Sequence, residues 1–361
     1  MNKTDLAGLY IHVPFCKTKC PYCDFFSITD TSRIDEWIAA LREEAEFYRE
    51  FGLFDSLYIG GGTPSVLDDR QIDSLIDGIR GIFRFAKETE VTVEMNPDDV
   101  TREKLRHYQS LGINRVSLGV QSFREEETGF LGRRHSAGQA LFAAGAIRDA
   151  GFSELGIDLM FGLPGQSVGQ WRESLEKALM FEPEHMSCYQ LTVEGNSEFS
   201  RLLRTGELLL PGDELQAGLF LETSRYLSDT GYIHYEISNF AKGPEHIARH
   251  NVKYWQHTPY LGLGPSAHSF AGGKRWWNLS NVPDYLRFLQ RGRPPVKDSE
   301  ELSAPDFELE RLLFGFRTMW GIKLSEISPE SRDKVIKLHK DAFVDFVGDR
   351  IVPTLKGYLF A

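Results

Sequence analysis

The feature that most limits how this chain can fold is the regular return of short β-like runs with amphipathic stretches between them. Six stand out: LYIHVPF (9–15), SLYIGGGT (56–63), VTVEMN (91–96), RVSLGVQS (115–122), LGIDLMFG (155–162) and MSCYQLTV (186–193). Each interval is long enough for one helix, which is the signature of βα units. In the first interval Ile34, Trp37, Ile38, Leu41, Ala45 and Tyr48 share a helical face, and Ile72, Leu75, Ile76, Ile79 and Phe83 do so in the second. Asp68 and Asp69 stand where a cap would open that second helix, and Thr101, followed by Lys104, opens a third after the Asn96-Pro97 turn. Alternating β and α with right-handed crossovers gives a parallel sheet, either doubly wound or curled. Six units are too few to close an eight-stranded barrel. The expected fold is therefore α/β, a partial (β/α)6 barrel of the TIM type with a smaller, mainly helical C-terminal domain.

The alternation fades after about residue 235 into a stretch rich in aromatics, His and Gly, and helical patterns return at 282–291 and 305–317. The expected division is a barrel over 1–235, a connecting segment over 236–298 and a small helical module over 299–361 that closes on a hairpin near RIVPTLKGYLF. In such sheets ligands bind at the C-terminal ends of the strands. Several polar or glycine-rich positions fall there: a cysteine loop after strand one, Gly60-Gly61-Gly62-Thr63-Pro64 after strand two, Glu94 at strand three and Gln121 at strand four. Asp158 interrupts the apolar run of strand five.

With 41 Lys and Arg against 52 Asp and Glu, the net charge is −11, which argues against a non-specific hold on nucleic acid or anionic lipid. There is no apolar run long enough to span a bilayer and no signal-peptide pattern at the N-terminus, so a cytoplasmic protein is expected. In reducing cytosol, clustered thiols serve metals or redox work more often than disulfides.

Three of the four cysteines, Cys16, Cys20 and Cys23, lie within eight residues in the pattern C-x3-C-x2-C, and Cys188 sits alone in an apolar run that suits a small buried strand residue. A closed zinc site wants four protein ligands, and none follows Cys23 at a suitable spacing. A 4Fe–4S cluster with three protein thiolates keeps one iron open to a further ligand. The spacing fits that cluster best, then zinc, then three unrelated thiols.

This loop, with Tyr22 before the last cysteine, resembles the signature of the radical S-adenosylmethionine (SAM) superfamily. The resemblance implies that SAM chelates the open iron and that one electron from the cluster splits its sulfonium. It also implies SAM contacts at Tyr10, Gly61, Gly62, Thr63, Glu94, Gln121, Arg133 and Asp158, with Tyr22 beside them, over a match running through roughly 9–270. The glycine turn lets backbone approach a ligand closely, and the two carboxylates suit ribose hydroxyls or a cationic group. Arg133 and Arg134 are adjacent, so one is expected in the pocket and the other in solvent, and the resemblance selects Arg133.

Two branches of that superfamily share this scaffold. Coproporphyrinogen III dehydrogenases carry a further cysteine two positions after the third and an N-terminal extension; here Phe25 holds that position and eight residues precede the first strand. The HemW haem chaperone family carries C-x3-C-x2-C-x-F and HNxxYW, which Cys16 to Phe25 and His250-Asn251-Val252-Lys253-Tyr254-Trp255 match. The chain's end at GYLFA comes slightly early for that family. The resemblance implies haem as a third bound group, with His250 as the iron ligand and His246, His257, His268 and Cys188 as rivals. It implies partners of two kinds, a haem donor and respiratory haem acceptors, and is compatible with peripheral membrane association and a homodimer. The expected role is haem delivery, with no catalytic residue assigned. The alternatives are a radical SAM enzyme acting on a tetrapyrrole such as coproporphyrinogen III and a zinc-bearing interaction module.

Overall fold

The computed structural model describes residues 6–193, 195 and 197–361. Six parallel strands lie side by side in chain order: β1 (Ala7–Val13), β2 (Leu53–Gly61), β3 (Arg84–Met95), β4 (Arg115–Gln121), β5 (Glu154–Phe161) and β6 (His185–Gln190). Between them run α1 (Ile34–Glu46), α2 (Asp69–Ile82), α3 (Arg102–Ser110), the short α4 (Glu125–Phe130) with α5 (Ala137–Ala150), and α6 (Val168–Leu179). This is the partial (β/α)6 barrel the alternation demands.

The period-two rule divides β1 cleanly. Leu9, Ile11 and Val13 are fully buried in the main core with Trp37 and Leu41 of α1 and Ile72, Leu75 and Ile76 of α2. Tyr10 and His12 face the other way, into the barrel, where their rings meet each other and Tyr58 of β2. The expected caps are in place: Asp68 accepts from the Gln71 amide and Thr101 from the Lys104 amide.

Past β6 the chain forms α7 (Glu198–Thr205), α8 (Asp213–Asp229) and the pair β7 (Ile233–Glu236) and β8 (Asn239–Ala241), which extends the β6 side of the sheet. Then α9 (Arg249–Trp255), which carries the HNVKYW residues, leads to β9 (Tyr260–Leu263), β10 (His268–Ala271) and β11 (Lys274–Asn278). Beyond α10 (Val282–Gln290) comes β12 (Val296–Glu301). β9 pairs with β1 in parallel, and β10 to β12 continue antiparallel, so these strands add a wall beside the cysteine loop's own strand.

One buried carboxylate fixes this wall. Glu44 of α1 accepts from the Gly264 amide at 2.8 Å, Asn278 Nδ2 at 2.5 Å and the Tyr285 hydroxyl at 2.6 Å. Burial, outweighing these donors, raises its pKa to about 7.

The chain then forms α11 (Ala304–Phe316), β13 (Ile322–Lys323), α12 (Arg332–Lys340), the hairpin β14 (Val344–Val347) and β15 (Arg350–Pro353), and α13 (Leu355–Tyr358). These elements have a small core of their own around Ile322, Ile327, Val335 and Ile351, while Tyr358 packs back into the main core against His234. Among the described residues no helix is long and apolar enough to cross a membrane.

Candidate functional site

The site is built at the C-terminal ends of the first five strands. β1 delivers the chain into the cysteine loop, which is pinned where the Cys16 amide donates to the Ile28 carbonyl and the Ile28 amide returns to Pro14. Gly62 lies against it: a Cβ at that position would stand 2.8 Å from the Phe15 carbonyl oxygen and 3.1 Å from Cys16 Sγ. The Thr63 hydroxyl, next along, donates to Cys16 Sγ at 3.3 Å. Gly61, at φ +107°, adopts a conformation that side-chain-bearing residues avoid, and a Cβ there would meet the His12 ring at 2.7 Å.

Arg133 reaches the second cysteine. Its Nη1 donates to Cys20 Sγ at 3.4 Å and to the Tyr22 hydroxyl at 3.2 Å, and its Nη2 to the Gly119 carbonyl at 2.8 Å. Its Nε is buried with no hydrogen-bond partner among the described residues. Arg134 turns the other way, and the expectation that it points into open solvent is corrected: it is paired with Asp98 at 2.8 Å and Asp99 at 3.2 Å. Burial pushes the Cys23 thiol up from its ordinary value, and the nearby Cys20 and Cys16 reinforce the shift, so the three sulfurs share one electrostatic neighbourhood. Cys188 lies on β6, buried and remote from this loop's own contacts.

The other strand ends add the polar groups. Glu94 accepts from the Tyr58 hydroxyl at 2.8 Å and the Gly61 amide at 3.2 Å. Burial raises its pKa to about 7, with the charge of Asp158 contributing. Asp158 accepts from the Ser117 hydroxyl at 3.2 and 3.0 Å, and burial raises its pKa as well. Gln121 ends β4 at φ +66°, a strained value for a non-glycine residue, at a bulge against β5; its amide and the Arg133 guanidinium share the space over Gly119. The Tyr10 hydroxyl donates to His12 Nδ1 at 3.0 Å, because Nε2 must donate to the Phe26 carbonyl at 2.8 Å. Burial lowers the His12 pKa to about 4, so this imidazole is neutral at pH 7.

His250 is not at this surface. It lies 1% exposed on α9, with Nδ1 3.0 Å from the Ser56 hydroxyl and Nε2 2.9 Å from the Tyr254 hydroxyl. Burial lowers its pKa to about 3. Neither nitrogen is open to a metal in this conformation. The helix that carries it plugs the opposite end of the barrel. The Arg249 and His250 amides both donate to Glu90 at 3.0 Å, and Lys253 pairs with Asp55 at 2.7 Å. Of the motif, only the Tyr254 ring reaches the functional side, where it lines a cavity of about 770 Å³. One wall of that cavity is the segment Asp24, Phe25 and Phe26 behind Cys23, and the other comes from β9 to β11.

Sequence reasoning passed over three residues that position others: His12 behind Gly61, Tyr58 on Glu94 and Ser117 on Asp158. Their one signal is that they occupy inward positions, two residues apart, on strands whose ends are polar.

A parallel, open barrel that commits its first loop to three thiols is the architecture of a radical SAM protein, and residues 10–178 match the model of the Radical SAM superfamily. The chain is 35% identical to a heme chaperone HemW of Mycobacterium tuberculosis over 98% of its own length and 92% of the relative's. It is also 35% identical to a heme chaperone HemW of Bacillus subtilis over 88% and 85%. The solved coproporphyrinogen III oxidase (HemN) of Escherichia coli superposes with a TM-score of 0.83 at 23% identity, covering 99% of this chain and 88% of that one, a likeness of fold. The chain belongs to the HemW haem chaperone family within that superfamily.

The family implies an iron–sulfur cluster and SAM, and two observations fit them. Only glycine fits at position 62, where the turn after β2 presses against the backbone of the cysteine loop and sets Thr63 beside Cys16, and among the described residues Arg133 Nε is a buried donor without an acceptor. Among the described residues no three His, Cys, Asp or Glu converge on a single metal ion, whereas thiolates around a four-iron cube each bind a different iron. When bound, the cluster and SAM supply one-electron chemistry. The chain's own share is to place Arg133 against Cys20, where it offsets thiolate charge, and to keep Glu94 and Asp158 buried where a cationic or hydroxyl-bearing ligand would satisfy them.

Proposed function

We propose that this protein is a haem chaperone: it takes haem from a donor protein, holds it beside the cluster and SAM, and passes it to respiratory haem proteins. The observation that carries the reading is the aromatic cavity that opens directly behind the cysteine loop, with Phe25 at its edge, 67% exposed, where the dehydrogenase pattern has a cysteine. Such a cavity falls in the size range of cofactor sites, about 300–1,000 Å³. In this reading Cys16, Cys20 and Cys23 hold the cluster. Tyr10, Tyr22, Gly61, Gly62, Thr63, Glu94, Gln121, Arg133 and Asp158 hold SAM. The barrel through residue 235 carries these cofactors, 236–298 supplies most of the cavity's second wall, and 299–361 adds Glu300 and Phe314 to that wall.

The deciding experiment runs two assays on one anaerobic preparation. Haem titration should give stoichiometric uptake, and incubation with coproporphyrinogen III, SAM and a reductant should leave the substrate unchanged. Conversion to protoporphyrinogen would replace this reading with a tetrapyrrole-modifying enzyme. A colourless, zinc-containing preparation would remove the cluster from it.

A further inference from the structure

The haem reading leaves open which side chain meets the iron, and the cavity's histidines answer differently. Three line it: His12, His257 and His268. Both nitrogens of His12 are engaged, one with Tyr10 and one with Phe26. His257 Nε2 is 3.0 Å from Glu310, and its ring is nearly enclosed, stacked on Phe307 at 4.5 Å. His268 is different in each respect. It is exposed to the cavity on β10, and neither of its ring nitrogens makes a hydrogen bond among the described residues.

Its orientation is nevertheless fixed. His268 stands directly across from Trp277 in the β10–β11 pair, and the two rings stack at 5.7 Å with 21° between planes. A stacked imidazole with free nitrogens keeps its lone pair directed while losing little rotamer freedom on ligation. Much of the remaining lining is aromatic, with Tyr260 on one side and Phe25 and Phe26 on the other, suited to the faces of a macrocycle, while Asp24, Arg275 and Glu300 add charge at the lining.

We propose that this cavity is the haem seat and that His268 of β10 supplies the iron's protein ligand, leaving His250 to hold the plug at the far end of the barrel. The assignment rests on the haem reading above. It places the bound haem against the segment that follows Cys23, so cargo and cluster are neighbours across Asp24 to Phe26.

The test is haem titration of the anaerobically purified full chain, followed by Soret absorption and magnetic circular dichroism, with iron and sulfide analysis as the control for folding. Wild type should show an imidazole-ligated spectrum. His268→Ala should weaken haem binding by about tenfold or more, lose that spectrum and regain it with added free imidazole. His268→Met, which keeps the position filled, should move the signature to thioether ligation. Cluster content should match wild type in both. A His268→Ala protein that titrates with wild-type affinity and spectrum overturns the assignment, as does loss of the imidazole signature in His250→Ala alone. Wild type that takes up no stoichiometric haem overturns the haem reading itself, whatever the variants do.

Discussion

The two ends of the barrel are made by the same six strands, yet their polar groups are treated in opposite ways. At the N-terminal end Arg115, almost fully buried, lies 3.3 Å from Glu154 and 3.8 Å from Glu90, and Glu90 also takes two amides of α9. Lys253 closes on Asp55, and His250 has both nitrogens bonded. At the C-terminal end Arg133 keeps a donor unanswered among the described residues, two buried carboxylates hold raised pKa values, and Gln121 is kept in a strained conformation. The contrast teaches that one end is assembled for stability and the other is held ready for a ligand, which is how strand ends divide their labour in barrels of this kind.

The largest effects should separate the ends outright. Cys16→Ala, Cys20→Ala and Cys23→Ala should each abolish the cluster, read as lost iron, sulfide and brown colour, and Cys188→Ala should retain it. Loss of iron on Cys188→Ala would break the comparison. At the other end Arg115→Ala should cost about 3–5 kcal/mol in denaturant unfolding, because Glu90 stays buried without its cation, and should still accept a cluster. A stable Arg115→Ala protein that cannot hold iron would reverse the assignment of roles.

Smaller effects sharpen the picture through pH. Glu44, fully buried in the wall, has a folded pKa of about 7 against an ordinary 4.5. The folded state binds this proton more tightly, so its stabilising effect is complete below pH 4.5 and is lost as pH rises to about 7, amounting to about 3 kcal/mol in all. Glu44→Gln should flatten that part of the stability profile, and an unchanged slope would remove Glu44 as its source. Glu94 has the same raised value at the strand end where the proposed function puts SAM. There the pH dependence should appear in binding. SAM affinity, measured by calorimetry, should rise as pH passes through about 7 and Glu94 ionises, while Glu94→Gln should bind about tenfold more weakly with a flat profile.

The barrel was legible because its strands are apolar on the helix-facing side and short, and because α1 and α2 carry unbroken apolar faces. The first half of β3, RFAKETE, was not, since its exposed, charged residues hide a strand behind the composition of a loop. β9 to β12 were invisible for another reason: the first of them pairs with β1, a contact far away in sequence, and Gly262 interrupts its alternation. Within the site, the thiols, Glu94 and Asp158 announced themselves as polar residues at strand ends. HNVKYW drew attention for its imidazole, but where that imidazole points depends on Glu90 receiving the start of α9, a tertiary fact.

The pairing of β1 with β9 also bears on how the molecule comes into being. Leu9 registers with Leu261, so about 250 residues must leave the ribosome before the outer edge of β1 finds its partner. Until then the first strand to be made presents an open hydrogen-bonding edge, which invites intermolecular strand addition. Late arrival of the wall makes the newborn chain the species most exposed to aggregation at that edge.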